Sequence, residues 1–266
     1  MARDIVLIEK SDGVAKLTLN QPETLNVFNT ELMEATFDAL EELRVDSQTR
    51  VAIIAGAGRA FSGGADIKGR FLENIEKRKR GELNIALRES TIKRGLDTIV
   101  NFGKPIIAAV NGFAVGLGCT LSLACDMRVA SEDARFGFGF VKMAVTPEFG
   151  SSYFLPRLIG SGRAFELIYT GRLVDAKEAK EIGLINMVVP SDQLGQAALL
   201  MAMELAEGQA VSIRLIREGI QQGMQVDLET AVRWEQFALN TCFTTDDHEE
   251  AVHAFIEKRK PSFKGR

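Results

Sequence analysis

Two glycine-punctuated stretches hold the residues best suited to chemistry. They are Arg59-Ala-Phe-Ser-Gly-Gly-Ala-Asp-Ile-Lys68 and Val110-Asn-Gly-Phe-Ala-Val-Gly-Leu-Gly-Cys119. Each follows a β-branched apolar run, Val51-Ala-Ile-Ile54 or Ile106-Ile-Ala-Ala-Val110, and each leaves toward a helical pattern. Glycine permits positive φ and close approach of a ligand, and the first amides of a helix lack an intrahelical acceptor, so both turns can aim N–H groups at an anion. A single turn of this kind would be read as tight packing of strand on helix. Two of one design suggest a two-donor oxyanion hole, which stabilises charge developing on a carbonyl oxygen. A carboxylate, Glu148, follows Pro147 at the start of a helical pattern through Tyr153, Leu155 and Leu158, a place the helix dipole also favours.

The elements that must position these groups follow from periodicity. Ile5–Ile8 and Val14–Leu19, separated by Ser11-Asp-Gly13, predict a hairpin. From Thr30, apolar residues at 32, 33, 36, 37, 40 and 43 predict a helix packed on the strand Val51–Ile54, giving a β-α-β order with a buried parallel strand. Residues 134–141 alternate as a strand that would put Phe136, Phe138 and Phe140 on one face. Segments 193–207, 209–222, 227–243 and 246–258 predict four successive amphipathic helices. A β/α body over 1–200 and a helical section over 201–266 is the partition this implies.

The segments 61–67 and 111–119 resemble the signatures of the crotonase superfamily, the enoyl-CoA hydratases and isomerases. Asn20–Asn26, Ala176–Leu184 and Phe255–Lys260 resemble further landmarks in the same order. The resemblance covers nearly the whole chain. It implies an α/β fold of crotonase type, a β/α spiral body followed by a C-terminal helical trimerisation section. It implies an acyl-CoA thioester as substrate, whose oxygen is gripped by the amides of Ala65 and Leu117 while Gly63, Gly64 and Gly116 allow approach. Leu25, Val27, Ile67 and Phe113 are the further substrate contacts it implies, together with Asp66, whose own signal is that of a helix cap. Phe255 and Lys258 would bind the adenosine end of CoA, from a neighbouring subunit.

Hydratases of this family hold water between two glutamates. These align with Thr120 and Phe140 here, so neither carboxylate is present. The stretch Thr146-Pro-Glu-Phe-Gly-Ser-Ser-Tyr153 is similar instead to the peroxisomal-type Δ3,Δ2-enoyl-CoA isomerases, which implies Glu148 as the single acid/base in a phenylalanine-lined pocket. A 2-enoyl-CoA hydratase, and a non-catalytic acyl-CoA-binding or assembly homologue, are the alternatives.

Other classes fit less well. Gly-x-x-x-Gly-x-Gly at 112–118 would suit a nicotinamide oxidoreductase, but it stands far from the N-terminus and no Tyr-x-x-x-Lys follows. The two histidines, His248 and His253, are spaced wrongly for a His-Glu-x-x-His zinc site, and no Gly-x-Ser-x-Gly elbow occurs. With 266 residues, 46% apolar, 26% charged and a net charge of −4, the chain reads as globular, and as neither a general nucleic-acid binder nor an anionic-membrane binder. Three cysteines, two in an apolar run, suggest reduced thiols. With no signal-peptide pattern or transmembrane run, a cytoplasmic enzyme is expected, needing no metal and no cofactor beyond the CoA of its substrate, assembled as a trimer or hexamer. The basic run Lys77-Arg-Lys-Arg80 is either a solvated helix end or a contact to a CoA phosphate.

Overall fold

A computed structural model describes residues 4–83 and 85–265, with 85–90 described through their backbone alone. Strands β1 (Val6–Ser11) and β2 (Val14–Leu19) form the predicted hairpin, with Asp12 and Gly13 both at positive φ, as a tight two-residue turn requires. Helix α1 (Thr30–Val45) starts at Asn29, whose side chain accepts the Leu32 amide at 2.8 Å, and buries the predicted apolar stripe. Then follow β3 (Val51–Gly56), β4 (Ala60–Ser62), α2 (Leu72–Lys79), α3 (Ile85–Val100), β5 (Ile106–Val110), β6 (Phe113–Val115), α4 (Leu117–Ala124), β7 (Met127–Ser131) and β8 (Arg135–Gly137). Helices α5 (Ser151–Ile159) and α6 (Ser161–Thr170), strand β9 (Leu173–Asp175), helix α7 (Ala176–Glu181) and strand β10 (Met187–Val189) complete the body.

One sheet runs β1-β2-β3-β5-β7-β10 and the other β4-β6-β8-β9. Each circuit of chain therefore lays one strand in the first sheet and the next in the second: β3 then β4, β5 then β6, β7 then β8. The result is a spiral. Beyond the hairpin the first sheet is parallel and covered on both faces, which explains why its strands read as continuous apolar runs. Leu17, Ile54 and Ala108 face the main core with α1, while Val51, Ile53, Ile107 and Val129 face α8 (Leu194–Ala206) through Leu194, Ala198, Ala202 and Ala206. Residue 200, where the sequence partition falls, lies inside this sheet-covering helix.

Helices α9 (Ala210–Gly223), α10 (Leu228–Phe243) and α11 (Asp246–Glu257) follow the predicted segments closely. Arg217 of α9 is buried and pins the section to the body. Its Nε lies 3.0 Å from both carboxylate oxygens of Asp126, and its terminal nitrogens donate to the carbonyls of Val100 and Ile99 at 2.6 and 2.8 Å. Those carbonyls end α3, beyond the reach of its i+4 amides; the Ile99 carbonyl also accepts the Phe102 amide at 3.3 Å. Ile216, Ile220, Leu228, Phe237, Phe243 and Ile256 stay exposed along α9–α11.

The strand expected over 134–141 stops at Gly137. Phe140 has a helical backbone and begins a 3-10 turn at Val141–Met143, its amide bonded to the Phe138 carbonyl at 2.8 Å. Phe136, Phe138 and Phe140 are buried nonetheless, so packing, not strand alternation, places them. After Asp66 the chain makes a π-type turn over Ile67–Phe71 before α2, and Asp66 accepts the Gly69 amide at 2.8 Å, the capping role its sequence signal suggested.

Candidate active site

The two glycine turns meet because their strands are neighbours. β4 and β6 pair in parallel, Ala60 with Phe113 and Ser62 with Ala114, and both turns leave from the same end of the pair. Gly64 sits at φ +92°, and a Cβ there would lie 2.6 Å from the Val115 carbonyl oxygen; a Cβ on Gly116 would lie 3.9 Å from the Gly64 Cα. Only glycine allows this backbone contact. Ser62 braces it from beneath, its hydroxyl accepting the Gly64 amide at 3.1 Å and donating to the Asn26 carbonyl at 2.7 Å.

Among the amides that hydrogen bonding leaves over at these turns are those of Ala65 and Leu117. Phe28 and Ala65 form a parallel bridge in which the Phe28 amide donates to the Gly64 carbonyl (2.7 Å) and the Asp66 amide donates to the Phe28 carbonyl (3.4 Å). That alternation turns the Ala65 amide to the opposite side. Leu117 is the first residue of α4, where an amide has no intrahelical acceptor, while the preceding Gly116 amide is already bonded to the Gly137 carbonyl at 2.9 Å. Among the described residues neither the Ala65 nor the Leu117 amide donates to a protein acceptor.

Both residues line a cavity of about 100 Å³, with Glu148 on its wall. Glu148 stands before α5, not in its first turn: its carbonyl accepts the Ser151 amide (3.1 Å) and hydroxyl (2.7 Å), and Gly150 is the N-cap. Phe149 and Gly150 both take positive φ, an uncommon conformation for phenylalanine, and Phe149 is anchored by stacking on Phe37 with ring centres 6.0 Å apart. Among the described residues lining the cavity, Glu148 has the single ionisable side chain. Burial pushes the thiols of Cys119 and Cys125 up to about 12, so neither is a nucleophile at neutral pH.

The family profile described as enoyl-CoA hydratase/isomerase matches residues 9–266. The chain belongs to the enoyl-CoA hydratase/isomerase family. It is 40% identical to a short-chain-enoyl-CoA hydratase of Clostridium acetobutylicum, over 98% of each chain. It is 37% identical to a crotonyl-CoA hydratase of Syntrophomonas wolfei, over 99% of each. The crystal structure of an enoyl-CoA hydratase from Bacillus anthracis superposes with a TM-score of 0.91 at 38% identity, covering 99% of this chain and 100% of that one. The fold is thus the crotonase-type spiral with C-terminal helices that the motifs implied. These relatives are named hydratases, not peroxisomal isomerases as the stretch 146–153 suggested.

Of the residues the family resemblance pointed to, Gly63, Gly64, Ala65, Ile67, Gly116, Leu117, Phe140 and Glu148 come together on this one cavity. Leu25 and Val27 lie just behind it, Leu25 accepting the Gly63 amide at 2.8 Å and Val27 packing against Gly63. Thr120 is fully buried and does not line the cavity; its hydroxyl donates to the Leu117 carbonyl at 3.2 Å. Phe113 is 43% exposed on β6, also away from it. Phe255 and Lys258 lie at the end of α11, outside the cavity, and Phe255 is 86% exposed. Phe71, Val115, Gly139, Met143, Val145 and Thr146 also line the cavity and were not singled out from sequence. They come from turns whose path periodicity does not specify.

The basic run ends α2, where Lys77, Lys79 and Arg80 form local ion pairs with Glu73, Glu76 and Glu82. Among the described residues no group of His, Cys, Asp or Glu is placed to hold a metal ion, and no helix is long and apolar enough to cross a membrane.

Proposed function

We propose that the protein moves the double bond of a 3-enoyl-CoA to the 2-position. One observation carries this reading: among the described residues Glu148 is the single carboxylate lining the cavity that Ala65 and Leu117, with their unused amides, also line. The Glu148 carboxylate takes a proton from C2, and the electron pair passes through C1 onto the thioester oxygen, giving a dienolate. The amides of Ala65 and Leu117 bond that oxygen more strongly as its charge grows, each worth about 3 kcal/mol in the transition state. The protonated Glu148 then returns its proton to C4, and the double bond forms between C2 and C3. Nothing is consumed, so one carboxylate suffices. CoA takes part as a portion of the substrate, and the reading requires no other cofactor.

A second reading, hydration of a 2-enoyl-CoA, is favoured by the names of the Clostridium and Syntrophomonas relatives. Glu148 would then have to activate water and protonate C2 alone, since the positions of the expected glutamate pair hold the buried Thr120 and Phe140. Turnover of matched 3-enoyl-CoA and 2-enoyl-CoA substrates separates the two. Isomerisation faster than hydration, abolished in Glu148→Gln with CoA-thioester binding retained, is the expected result. Faster hydration by the wild-type protein would replace isomerase with hydratase. Full activity in Glu148→Gln would remove the glutamate from both readings, and a wild type that binds thioesters without turnover would be the non-catalytic homologue. A trimer or dimer of trimers, with Phe255 and Lys258 reaching a neighbour's CoA, completes the proposal; the exposed apolar faces of α9–α11 support it.

A further inference from the structure

The chain that carries Glu148 is held by the residue after it. Residues 141–146, which lead into Glu148, are exposed, and Phe149 is the first buried residue after Phe140. Phe149 and Gly150 take φ of +56° and +69°, both in the left-handed region. Glycine enters that region freely, whereas a phenylalanine there is strained and persists only where its surroundings over-determine it. On backbone grounds alone position 149 would suit glycine, so the reason for the ring lies in what it touches.

Its contacts are specific. Phe149 is 2% exposed, and its ring stacks on Phe37 of α1 with the planes 13° apart. Phe37 is fully buried, and the tip of its ring sits in a notch in α3: a Cβ on Gly95 would lie 2.1 Å from its Cζ and 2.3 and 2.4 Å from its two Cε atoms. Glycine weakens a helix interior, and here any larger residue would displace the ring. On the other side the Glu148 carbonyl accepts the Ser151 amide and hydroxyl from the start of α5. Helices α1, α3 and α5 thus converge on the chain just after Glu148, although among the described residues neither α1 nor α3 lines the reacting cavity.

We propose that Phe149, clamped by Phe37 in the Gly95 notch, is the positioning residue that fixes the direction of the Glu148 carboxylate toward C2 of the substrate. The inference rests on Glu148 as the base assigned above but not on which reaction follows. Exchange of the C2 protons of butanoyl-CoA for deuterium, followed by NMR on the full chain, tests it, because that exchange needs the base and the two amides but no double bond. In Phe149→Gly, which relieves the backbone while removing the ring, exchange should slow about 10–10²-fold with butanoyl-CoA affinity within about 2-fold of wild type, since a misplaced base costs rate and not binding. Phe37→Leu and Gly95→Ala should slow exchange by smaller factors, again with affinity retained. A double-mutant cycle separates positioning from general loosening: Phe37→Leu should have no further effect on exchange in Phe149→Gly, whereas independent losses multiply. Exchange at the wild-type rate in Phe149→Gly, a matching fall in affinity, or multiplied effects in the double variant would overturn the proposal. Exchange that the wild type lacks, or that Glu148→Gln retains, would instead remove the base assigned above, and this inference with it.

Discussion

Replacing Gly64 by alanine tests the oxyanion assignment most directly. At φ +92° an L-residue costs about 1–3 kcal/mol, and the new Cβ would lie 2.6 Å from the Val115 carbonyl oxygen, closer than such contacts occur. Relief requires the backbone at 115–116 to move, and with it the Leu117 amide as well as that of Ala65. Both donors are disturbed by one methyl group. Urea unfolding should show a loss of about 2–4 kcal/mol. Steady-state kinetics should show kcat lowered about 10²–10³-fold, the effect of losing one oxyanion donor, with KM little changed because the ground-state oxygen bears less charge. Neighbouring glycines calibrate the effect. Gly116 is strained for any other residue (φ 52°, ψ −121°), but the nearest atom to its added Cβ is 3.9 Å away, so Gly116→Ala should lose only about 1–3 kcal/mol of stability. At Gly63 the added Cβ meets the movable Val27 side chain at 3.1 Å, and Gly63→Ala should be mildest. Wild-type kcat in Gly64→Ala, or equal damage from Gly63→Ala, would refute the reasoning.

Further predictions concern the assembly and its stability. Arg217→Ala leaves the Val100 carbonyl without this donor, the Ile99 carbonyl with the Phe102 amide alone and Asp126 without its cation, and should destabilise the protein by about 3–5 kcal/mol in urea. A thiol reagent at pH 8 should label Cys242 quickly and reach Cys119 and Cys125, whose thiols burial pushes up to about 12, only after denaturant is added. Arg259, with the Ser262 amide, holds Glu250 down at about 2 from its usual 4.5. The tie from α11 to the C-terminal tail should therefore be fully present above pH 4.5 and lost as pH falls through 2, read from exchange of the Ser262 amide. Sedimentation should give a trimer or hexamer, and Lys258→Ala should weaken CoA binding; a monomer, or unchanged affinity, would remove the inter-subunit contact.

Periodicity and turn chemistry made most of the fold legible. The Asp-Gly hairpin, the α1 stripe and the C-terminal helices recur nearly residue for residue, because each is local and strongly patterned. Asp66 was readable as a cap for the same reason. Phe140 was not, since an alternating pattern continues in sequence after the backbone has left the strand at Gly137. At the site, glycine spacing pointed to two amide-presenting turns and the family resemblance to Ala65 and Leu117 within them, but Ser62 and Phe149 were invisible. Their roles depend on Asn26 and Phe37, distant in sequence and joined only by the packed spiral.

The Arg217 clamp also bears on biosynthesis. Its partner carbonyls at Ile99 and Val100 precede it by 118 and 117 residues. At about 5–20 residues per second, a ribosome takes roughly 6–24 s to make the intervening chain. During that interval the end of α3 lacks the guanidinium donors and Asp126, held by the Ile106 amide, lacks its cation. The emerging body therefore passes through a window in which this clamp is open, and the window closes only after α9 leaves the exit tunnel.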